Sequence, residues 1–374
     1  MAGITEQPTL PKHDSTVLDL AFAMDCTGSM SSYIYTAQTN IRNIVEQIVA
    51  SEKSDIRLAL VEYRDHPPQE ITFVTRTHDF TSSVQDMKRW LDKCSAHGGG
   101  DRPEAVADAL HDVLRLCWRP NATKICVLVS DAPPHGLGDF SDTFPNGCPN
   151  NLDPMTIVRS MAEKGIILYT VGCEPSITPY KEFFAALAYL TGGQYVPLMG
   201  AKALTQVIIG GAQEEISLER WMEDVNVEVE RAVEEASDGD INVEAVTRRV
   251  WGALKGRGAR GKQLLRNRSA LSGPSKEAKK LSTYANVADV RKDFKESSVS
   301  RTFRGRGSAR KTRGGRGGGK GCPRSRSRSR SPTKRSSPES FTTEESEIQI
   351  EQAARMVQKS LMRKRAIIDR SSKK

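Results

Sequence analysis

Acidic and hydroxyl side chains stand at three places that border apolar runs of the sequence. Asp25, Thr27 and Ser29 follow the first apolar run, and Asp131 follows a later one. Asp101 lies between them, in the glycine-rich stretch Gly-Gly-Gly-Asp-Arg-Pro-Glu. Carboxylate and hydroxyl oxygens are the ligands that hard divalent cations such as Mg²⁺ prefer. Asp25, Thr27 and Ser29 are spaced so that alternate side chains of one loop can face one point. Together with Asp101 and Asp131 from two other loops, they predict a metal site.

Each of these residues also has an ordinary structural explanation. Asp25, Thr27 and Ser29 precede a helical pattern, where such side chains cap free backbone amides. Asp131 and Asp101 stand where turns are expected, and the glycines before Asp101 favour a turn. The same glycines suggest a phosphate-binding loop, but no Gly-Lys-Ser/Thr sequence follows them. Metal ligation is the preferred interpretation, and helix capping and turn formation are the alternatives.

The segments that must position these residues show two alternating patterns. Nearly continuous apolar runs, typical of strands covered on both faces, alternate with apolar residues at helical spacing. The predicted strands are residues 17–24, 56–63, 71–75, 124–130, 166–172 and 194–198, with 71–75 at a sheet edge. The predicted helices include residues 84–94, 103–117, 154–164 and 179–190. This alternation predicts an α/β fold with a doubly wound, mostly parallel sheet, which binds ligands at the carboxyl ends of its strands.

The order of these segments resembles the von Willebrand factor type A (VWA) domain over about residues 15–215. The sequence DCTGSM after the first buried strand, with an aspartate ending a later strand, is similar to the metal-ion-dependent adhesion site of that family. GGGDRPE and VLVSDAPPHG look most like the type A domain of atypical alpha-kinases. The resemblance implies a Rossmann-like fold and a protein partner that completes the coordination of a Mg²⁺ ion, with Mn²⁺ or Ca²⁺ as alternatives. The implied metal ligands are Asp25, Thr27, Ser29, Asp101 and Asp131.

Asp101 stands where the family commonly has threonine. A third carboxylate leaves a Mg²⁺ site with one negative charge, whereas two carboxylates leave it neutral. At about 5 Å and an effective dielectric constant of about 20, one extra charge is worth about 3 kcal/mol. We therefore expect tighter metal binding and weaker capture of an acidic partner than in adhesion receptors.

An enzymatic function has weaker support. The stretch from Asp25 to Ser29 is similar to the motif of phosphoaspartyl hydrolases, but Thr27 stands where their second aspartate acts as acid and base. Neither Gly-x-Ser-x-Gly nor His-Glu-x-x-His occurs. Beyond residue 220 no stretch of mixed α/β sequence is long enough for a kinase catalytic domain. We expect a non-enzymatic scaffold or adaptor module, with a phosphatase or a component of alpha-kinase-type signalling as alternatives.

Charge divides the chain more sharply than its net value of +9 indicates. Residues 248–338 contain 28 Lys or Arg against four acidic residues, so the remainder is acidic. The predicted parts are an N-terminal arm (1–14), the VWA-like domain (15–215), an acidic helical extension with a solvated surface (216–255), a basic disordered Arg/Gly- and Arg/Ser-rich linker (256–341) and an amphipathic helix that docks on another surface (342–370).

The basic segment predicts a second kind of partner. Residues 300–338 hold 14 basic residues and no acidic one, a composition that favours RNA binding; an unspecific solvated tail is the alternative. Serines alternate with arginines in 325–331, as in splicing-associated proteins, which predicts phosphorylation that lowers the positive charge. No apolar run approaches the roughly 20 residues of a membrane span, and the N-terminus does not resemble a secretory signal. We expect no membrane partner and a cytoplasmic location, with the nucleus as the alternative.

Overall fold

The computed structural model describes residues 14–52, 55–235, 241–294 and 339–372. Its centre is a six-stranded sheet in the order β3-β2-β1-β4-β5-β6. The strands are β1 (Asp14–Asp25), β2 (Asp55–Tyr63), β3 (Thr75–Thr81), β4 (Ala122–Ser130), β5 (Ile166–Cys173) and β6 (Tyr195–Leu198). Only β2 and β3 pair antiparallel within this sheet. The predicted mostly parallel sheet is therefore confirmed.

Helices cover both faces of the sheet. They are α1 (Ser31–Glu52), α2 (Val84–Lys93), α3 (Val106–Arg115), α4 (Pro154–Glu163), α5 (Lys181–Leu190) and α6 (Leu204–Glu219). In β1, Leu18 and Phe22 belong to a core that includes α1, α2 and α6, while Ala21 and Ala23 belong to a core with α3, α4 and α5. Because successive side chains of a strand point to opposite faces, a strand covered twice needs a continuous apolar run.

The edge strand lies further along the chain than predicted. We expected it at residues 71–75, but β3 begins at Thr75 and has the sequence TRTHDFT, with no fully buried residue. An edge strand of this kind is only half covered, so its side chains carry little apolar pattern. Residues 71–74 of the predicted strand precede β3 instead of forming it.

A smaller sheet corrects the prediction of disorder across 256–341. It pairs β7 (Arg260–Arg266) antiparallel with β8 (Ser269–Ala270) and with β9 (Phe341–Glu347). Two helices follow β8, α9 (Lys276–Ser282) and α10 (Val287–Asp293). Leu264, Leu281 and Val290 are buried against the cores of the main domain. Each segment has too few apolar residues to fold by itself, and it is stabilised by packing these residues against the larger domain. Residues 295–338, with the predicted RNA-binding segment and the Arg/Ser repeats, lie outside the described residues.

Three further helices belong to the described part of the chain: α7 (Met222–Glu235), α8 (Val243–Gly256) and α11 (Ile350–Ser372). The helix predicted at 342–370 begins at Ile350, because the residues before it form β9. α11 packs against α7 and α8. The predicted solvated acidic surface is present on α7, where Glu223, Glu234 and Glu235 are exposed. Glu219 at the end of α6 is the exception, since it is buried and pairs with Lys359 of α11. Among the helices in the described residues, none has the length and apolar character that crossing a membrane requires.

Candidate metal centre

The first loop of the site leaves the carboxyl end of β1. Asp25 is fully buried, and its Oδ1 accepts hydrogen bonds from the backbone N–H (2.9 Å) and the hydroxyl (2.6 Å) of Thr27. The Ser130 hydroxyl lies 3.5 Å from the other oxygen, Oδ2. A short turn, Gly28–Met30, then leads into α1. The loop therefore holds the Asp25 carboxylate in one orientation at the edge of the sheet.

Asp131 meets this loop from the end of the neighbouring strand, β4. Burial raises its pKa, and a hydrogen bond from Ser29 works in the opposite direction. Burial and the nearby charge of Asp131 together raise the pKa of Asp25 to about 7, against the lowering effect of the Thr27 hydrogen bonds. The structure thus brings Asp25, Thr27, Ser29 and Asp131 together, because β1 and β4 are parallel neighbours that end side by side.

Glu104 is the acidic residue that the sequence prediction missed. Its side chain is only 3% exposed, and its backbone N–H donates to the carbonyl of Pro133 (2.9 Å), which ties it to the loop after β4. Burial first, then the charges of Asp25 and other acids including Asp131, raise the pKa of Glu104 to about 11. Its Oε2 atom is buried and has no hydrogen-bond partner among the described residues. The signal was present in GGGDRPE, where Glu104 follows Asp101 by three residues.

Two glycines bring the second loop close to the first. Gly98 and Gly99 have φ angles of 79° and 89°, in the left-handed region that favours glycine. The carbonyl of Gly98 accepts a hydrogen bond from the Gly28 N–H (3.3 Å). A Cβ on Gly99 would lie 3.1 Å from Glu104 Oε1 and 3.5 Å from Thr27 Cβ. The glycines are needed because a side chain here would enter the space beside the candidate ligands.

Asp101 lies in a neighbouring group of charged residues. Its Oδ2 accepts a hydrogen bond from the Thr143 N–H (2.7 Å), and its carboxylate lies close to His135 and Asp142. The His135 ring bonds Asp65 through Nε2 (2.7 Å) and Asp142 through Nδ1 (2.8 Å). Burial disfavours the charged ring, but these two carboxylates raise the pKa of His135 to about 9. The positive ring therefore neutralises part of the acidic charge beside the site, and a direct metal contact by Asp101 stays a prediction.

The donor set fits a divalent cation. Asp25 and Glu104 are buried and Asp131 is half-buried, and the pKa values of all three carboxylates are raised, so their charges are poorly compensated by the protein alone. Burying like charges together is costly unless a proton or a cation neutralises them. A buried oxygen of Glu104 without a hydrogen-bond partner is what a ligand to such a cation would look like without its ion.

A comparison with family models decides what this arrangement is. The model described as the von Willebrand factor A domain matches residues 19–140. The chain contains a von Willebrand factor A domain. The resemblance inferred from the sequence is confirmed, and all five predicted ligands lie within the matched residues. A domains are protein-interaction and adhesion modules that commonly bind divalent metal ions.

Several curated proteins share the A domain. The alpha-protein kinase vwkA of Dictyostelium discoideum is 31% identical over 141 residues, which are 37% of this chain and 22% of the kinase. A putative ariadne-like RING finger protein of Acanthamoeba polyphaga mimivirus is 27% identical over 204 residues, or 52% of this chain and 20% of that protein. The von Willebrand factor A domain-containing protein 7 of Homo sapiens is 32% identical over 114 residues, or 30% and 12% of the two chains. The matches span about a fifth or less of these relatives, and the match to the kinase shows no kinase domain here.

Two solved structures are also similar. The pilus adhesin SpaC from Lactobacillus rhamnosus GG has a TM-score of 0.41 and 12% identity, and the match covers 56% of this chain and 32% of the adhesin. A von Willebrand factor type A protein from Catenulispora acidiphila has a TM-score of 0.38 and 16% identity, with 54% and 43% of the two chains covered.

Proposed function

We propose that this chain is a metal-dependent protein-binding module, a scaffold or adaptor in which a Mg²⁺ ion at the sheet edge is the contact point for a partner. Asp25, Thr27, Ser29 and Asp131 are the proposed ligands that the sequence predicts. The observation that carries the proposal is Oε2 of Glu104, which is buried near these acids and has no hydrogen-bond partner among the residues that the structure describes. An ion that interacts with Glu104 and the two aspartates explains why so many carboxylates are buried together.

Glu104 is a stronger candidate than Asp101 for the remaining protein ligand. The charges that raise the pKa of Glu104 are, in decreasing order, those of Asp25, Asp65, Asp101 and Asp131, whereas the main charges that act on Asp101 are those of Asp65 and His135. Asp101 also uses one carboxylate oxygen to fix the backbone of Thr143. We therefore assign Glu104 to the ion and Asp101 to the neighbouring group that holds the adjacent loop.

The proposed ion is Mg²⁺, since every proposed ligand supplies oxygen and Mg²⁺ retains waters that a partner can displace. Mn²⁺ and Ca²⁺ are the alternatives. Three carboxylates leave the site with one negative charge, so an acidic partner group would be disfavoured by about 3 kcal/mol, roughly two decades in affinity. We infer that the partner contributes a hydroxyl, an amide or a water-bridged contact.

Binding is better supported than phosphoryl transfer. Asp25 would be the nucleophile of a phosphoaspartyl enzyme, and such a carboxylate must reach the phosphorus atom. Asp25 is fully buried, and one of its oxygens already accepts two hydrogen bonds from Thr27. These contacts suit a carboxylate that orients an ion and does not suit an attacking group.

Substituting Asp131 with alanine tests the proposal. The wild-type chain should melt at a higher temperature in millimolar Mg²⁺ than in EDTA, because a ligand that binds the folded state stabilises it. Asp131→Ala should lose this difference. Asp92→Ala is the matched control, since Asp92 is an exposed carboxylate on α2 that pairs with Lys88 in the same helix. Equal melting temperatures of the wild type in Mg²⁺ and in EDTA would contradict the proposed ion.

Affinity purification of the same proteins tests the role of the ion in partner binding. Wild type and Asp92→Ala should retain a common set of proteins in Mg²⁺ and lose it in EDTA, and Asp131→Ala should not retain it in either buffer. Retention of that set by Asp131→Ala would separate partner binding from the metal site and refute the function, even if the ion itself binds.

A further inference from the structure

Three side chains from distant parts of the chain converge outside the site just described. His66 follows β2, Asp108 lies in the first turn of α3, and Cys148 belongs to the loop between β4 and α4. The distances are 2.9 Å from His66 Nε2 to Asp108 Oδ2, 3.1 Å from Cys148 Sγ to Asp108 Oδ2, and 3.7 Å from Cys148 Sγ to His66 Nε2. Nitrogen, oxygen and sulfur donors therefore face one point.

The arrangement is not that of a nucleophile with its base. In a catalytic relay the acid bonds one nitrogen of the histidine ring and the nucleophile bonds the other. Here the carboxylate of Asp108 and the thiol of Cys148 both approach Nε2 of His66. The three ligand atoms lie within 4.8 Å of one another, so a cation between them could contact all three.

The spacing and the donor types fit zinc. Zinc–ligand distances of about 2.0–2.3 Å at tetrahedral angles place neighbouring ligand atoms about 3.4–3.6 Å apart. The three observed distances lie within about half an ångström of that range. We propose that His66, Asp108 and Cys148 bind a Zn²⁺ ion, with water in the fourth position.

The surroundings support the three donors. The backbone N–H of Asn150 donates to Cys148 Sγ (3.3 Å), an interaction that stabilises a thiolate. The Asn150 side chain donates to Asp108 Oδ1 (2.7 Å), the oxygen that does not face the cluster. Hydrogen bonds from neighbouring residues to the ligands, such as these from Asn150, orient the ligands in zinc sites. A thiolate, a carboxylate and a neutral imidazole give the Zn²⁺ complex no net charge, which suits the burial of His66 and Asp108.

The ion would hold a long loop in place. Residues 131–153 connect β4 to α4 without a helix or strand, and loops of this length seldom keep one conformation without a further restraint. Binding through Cys148 would tie this loop to α3 and to the chain after β2. The same loop begins at Asp131, so the zinc ion would restrain the loop beside the proposed Mg²⁺ site without taking part in it.

Cobalt substitution tests the zinc site in the full-length chain. Co²⁺ replaces Zn²⁺ in such sites, and a thiolate ligand gives it a charge-transfer absorption that oxygen ligands alone do not give. The protein is reduced, freed of zinc and kept in millimolar Mg²⁺, which fills the proposed magnesium site. It should bind about one Co²⁺ per chain with this absorption, and added Zn²⁺ should abolish the absorption. Cys148→Ser should remove the absorption. Cys117→Ser, which changes an exposed cysteine, should retain it.

Two other substitutions distinguish this proposal from its neighbours. Asp131→Ala should retain the absorption, so that failure of the Mg²⁺ site and failure of the zinc site give different results. Cys94→Ser should also retain it. Loss of the absorption in Cys94→Ser would place the metal at Cys26 and Cys94, whose sulfurs lie 2.7 Å apart, and would overturn the proposal. The proposal would also be overturned if the wild type showed no such absorption or if Cys148→Ser retained it.

Thiol labelling of the wild type gives a test that does not depend on whether a variant folds. Native protein is alkylated with N-ethylmaleimide, with or without Zn²⁺, and the labelled cysteines are identified by peptide mass spectrometry. Zn²⁺ should slow labelling of Cys148 by about tenfold or more, because metal ligation occupies the thiolate. Labelling of Cys117 should not change. Equal labelling of Cys148 in both conditions would refute zinc binding there.

Discussion

Mg²⁺ binding should release protons, because two of its proposed ligands hold protons when the ion is absent. The pKa of Asp25 is about 7 and that of Glu104 about 11, both raised first by burial. An ion that binds both carboxylates must displace those protons. At pH 6 the metal-free site holds about two protons on these groups, and at pH 8 it holds about one, on Glu104.

The size of the effect follows from these pKa values. Each released proton makes the binding constant rise about tenfold per pH unit. Between pH 6 and pH 8, Glu104 contributes about two decades and Asp25 about one, so Mg²⁺ affinity should rise about a thousandfold, or about 4 kcal/mol. Mg²⁺ affinity rises with pH because the pKa values of both carboxylates are raised. Acids with raised pKa values keep their protons at neutral pH, and alkaline conditions therefore favour the ion.

Isothermal titration calorimetry in two buffers of different ionisation enthalpy measures the protons released per Mg²⁺. Glu104→Gln should bind more weakly and release about one proton fewer at either pH. Glu46→Gln, an exposed glutamate on α1, is the matched control and should behave as wild type. Asp101→Asn should still release about one proton at pH 8 if Glu104 is the ligand. A wild type that releases no proton at pH 8, or a Glu104→Gln variant with unchanged release, would refute the assignment of Glu104.

Two further predictions concern stability. Arg355→Met should lower the free energy of unfolding, measured by urea denaturation, by about 3–5 kcal/mol, because it leaves buried glutamates without their cation. The double variant Arg355→Met/Glu215→Gln should recover part of the lost stability. A double variant no more stable than Arg355→Met would refute the pairing. Gly98→Ala should destabilise by more than about 1 kcal/mol, since φ is 79° and a Cβ would lie 1.7 Å from Glu70 Oε2. Gly252→Ala, in the open middle of α8, should stabilise by about 0.5–1 kcal/mol. Calorimetric melting distinguishes these outcomes, and equal effects of the two alanines would contradict the argument.

The sequence predicts the main sheet well because its strongest signal is local. β1 and β4 are covered on both faces, so their apolar runs are almost unbroken and indicate buried parallel strands. β3 carries no such signal. It lies at the edge with half of its surface exposed, and its position depends on pairing with β2 more than on its own residues.

The smaller sheet could not be predicted from local patterns. β7 pairs with β9, which follows it by more than seventy residues, and the basic composition between them favours disorder. Leu264 is buried only because β7 lies against α6, and Arg355 and Lys359 are buried only because glutamates of α6 face them. The sequence predicts that this helix docks on another surface, but it does not show that basic residues of α11 pair with glutamates of α6.

At the candidate site, strand order was enough to place Asp25 and Asp131 but not to choose between Asp101 and Glu104. The two acids are three residues apart, and the choice depends on how Gly98 and Gly99 turn the backbone between the loops. Asp101 Oδ1 and Glu104 Oε2 are both buried without a hydrogen-bond partner in the described part of the chain, but the other Asp101 oxygen, Oδ2, already accepts from the Thr143 N–H. A buried carboxylate oxygen without a partner must take a proton or a cation. A Mg²⁺ ion that binds Glu104 would replace the proton on this carboxylate, so binding of the ion should release that proton.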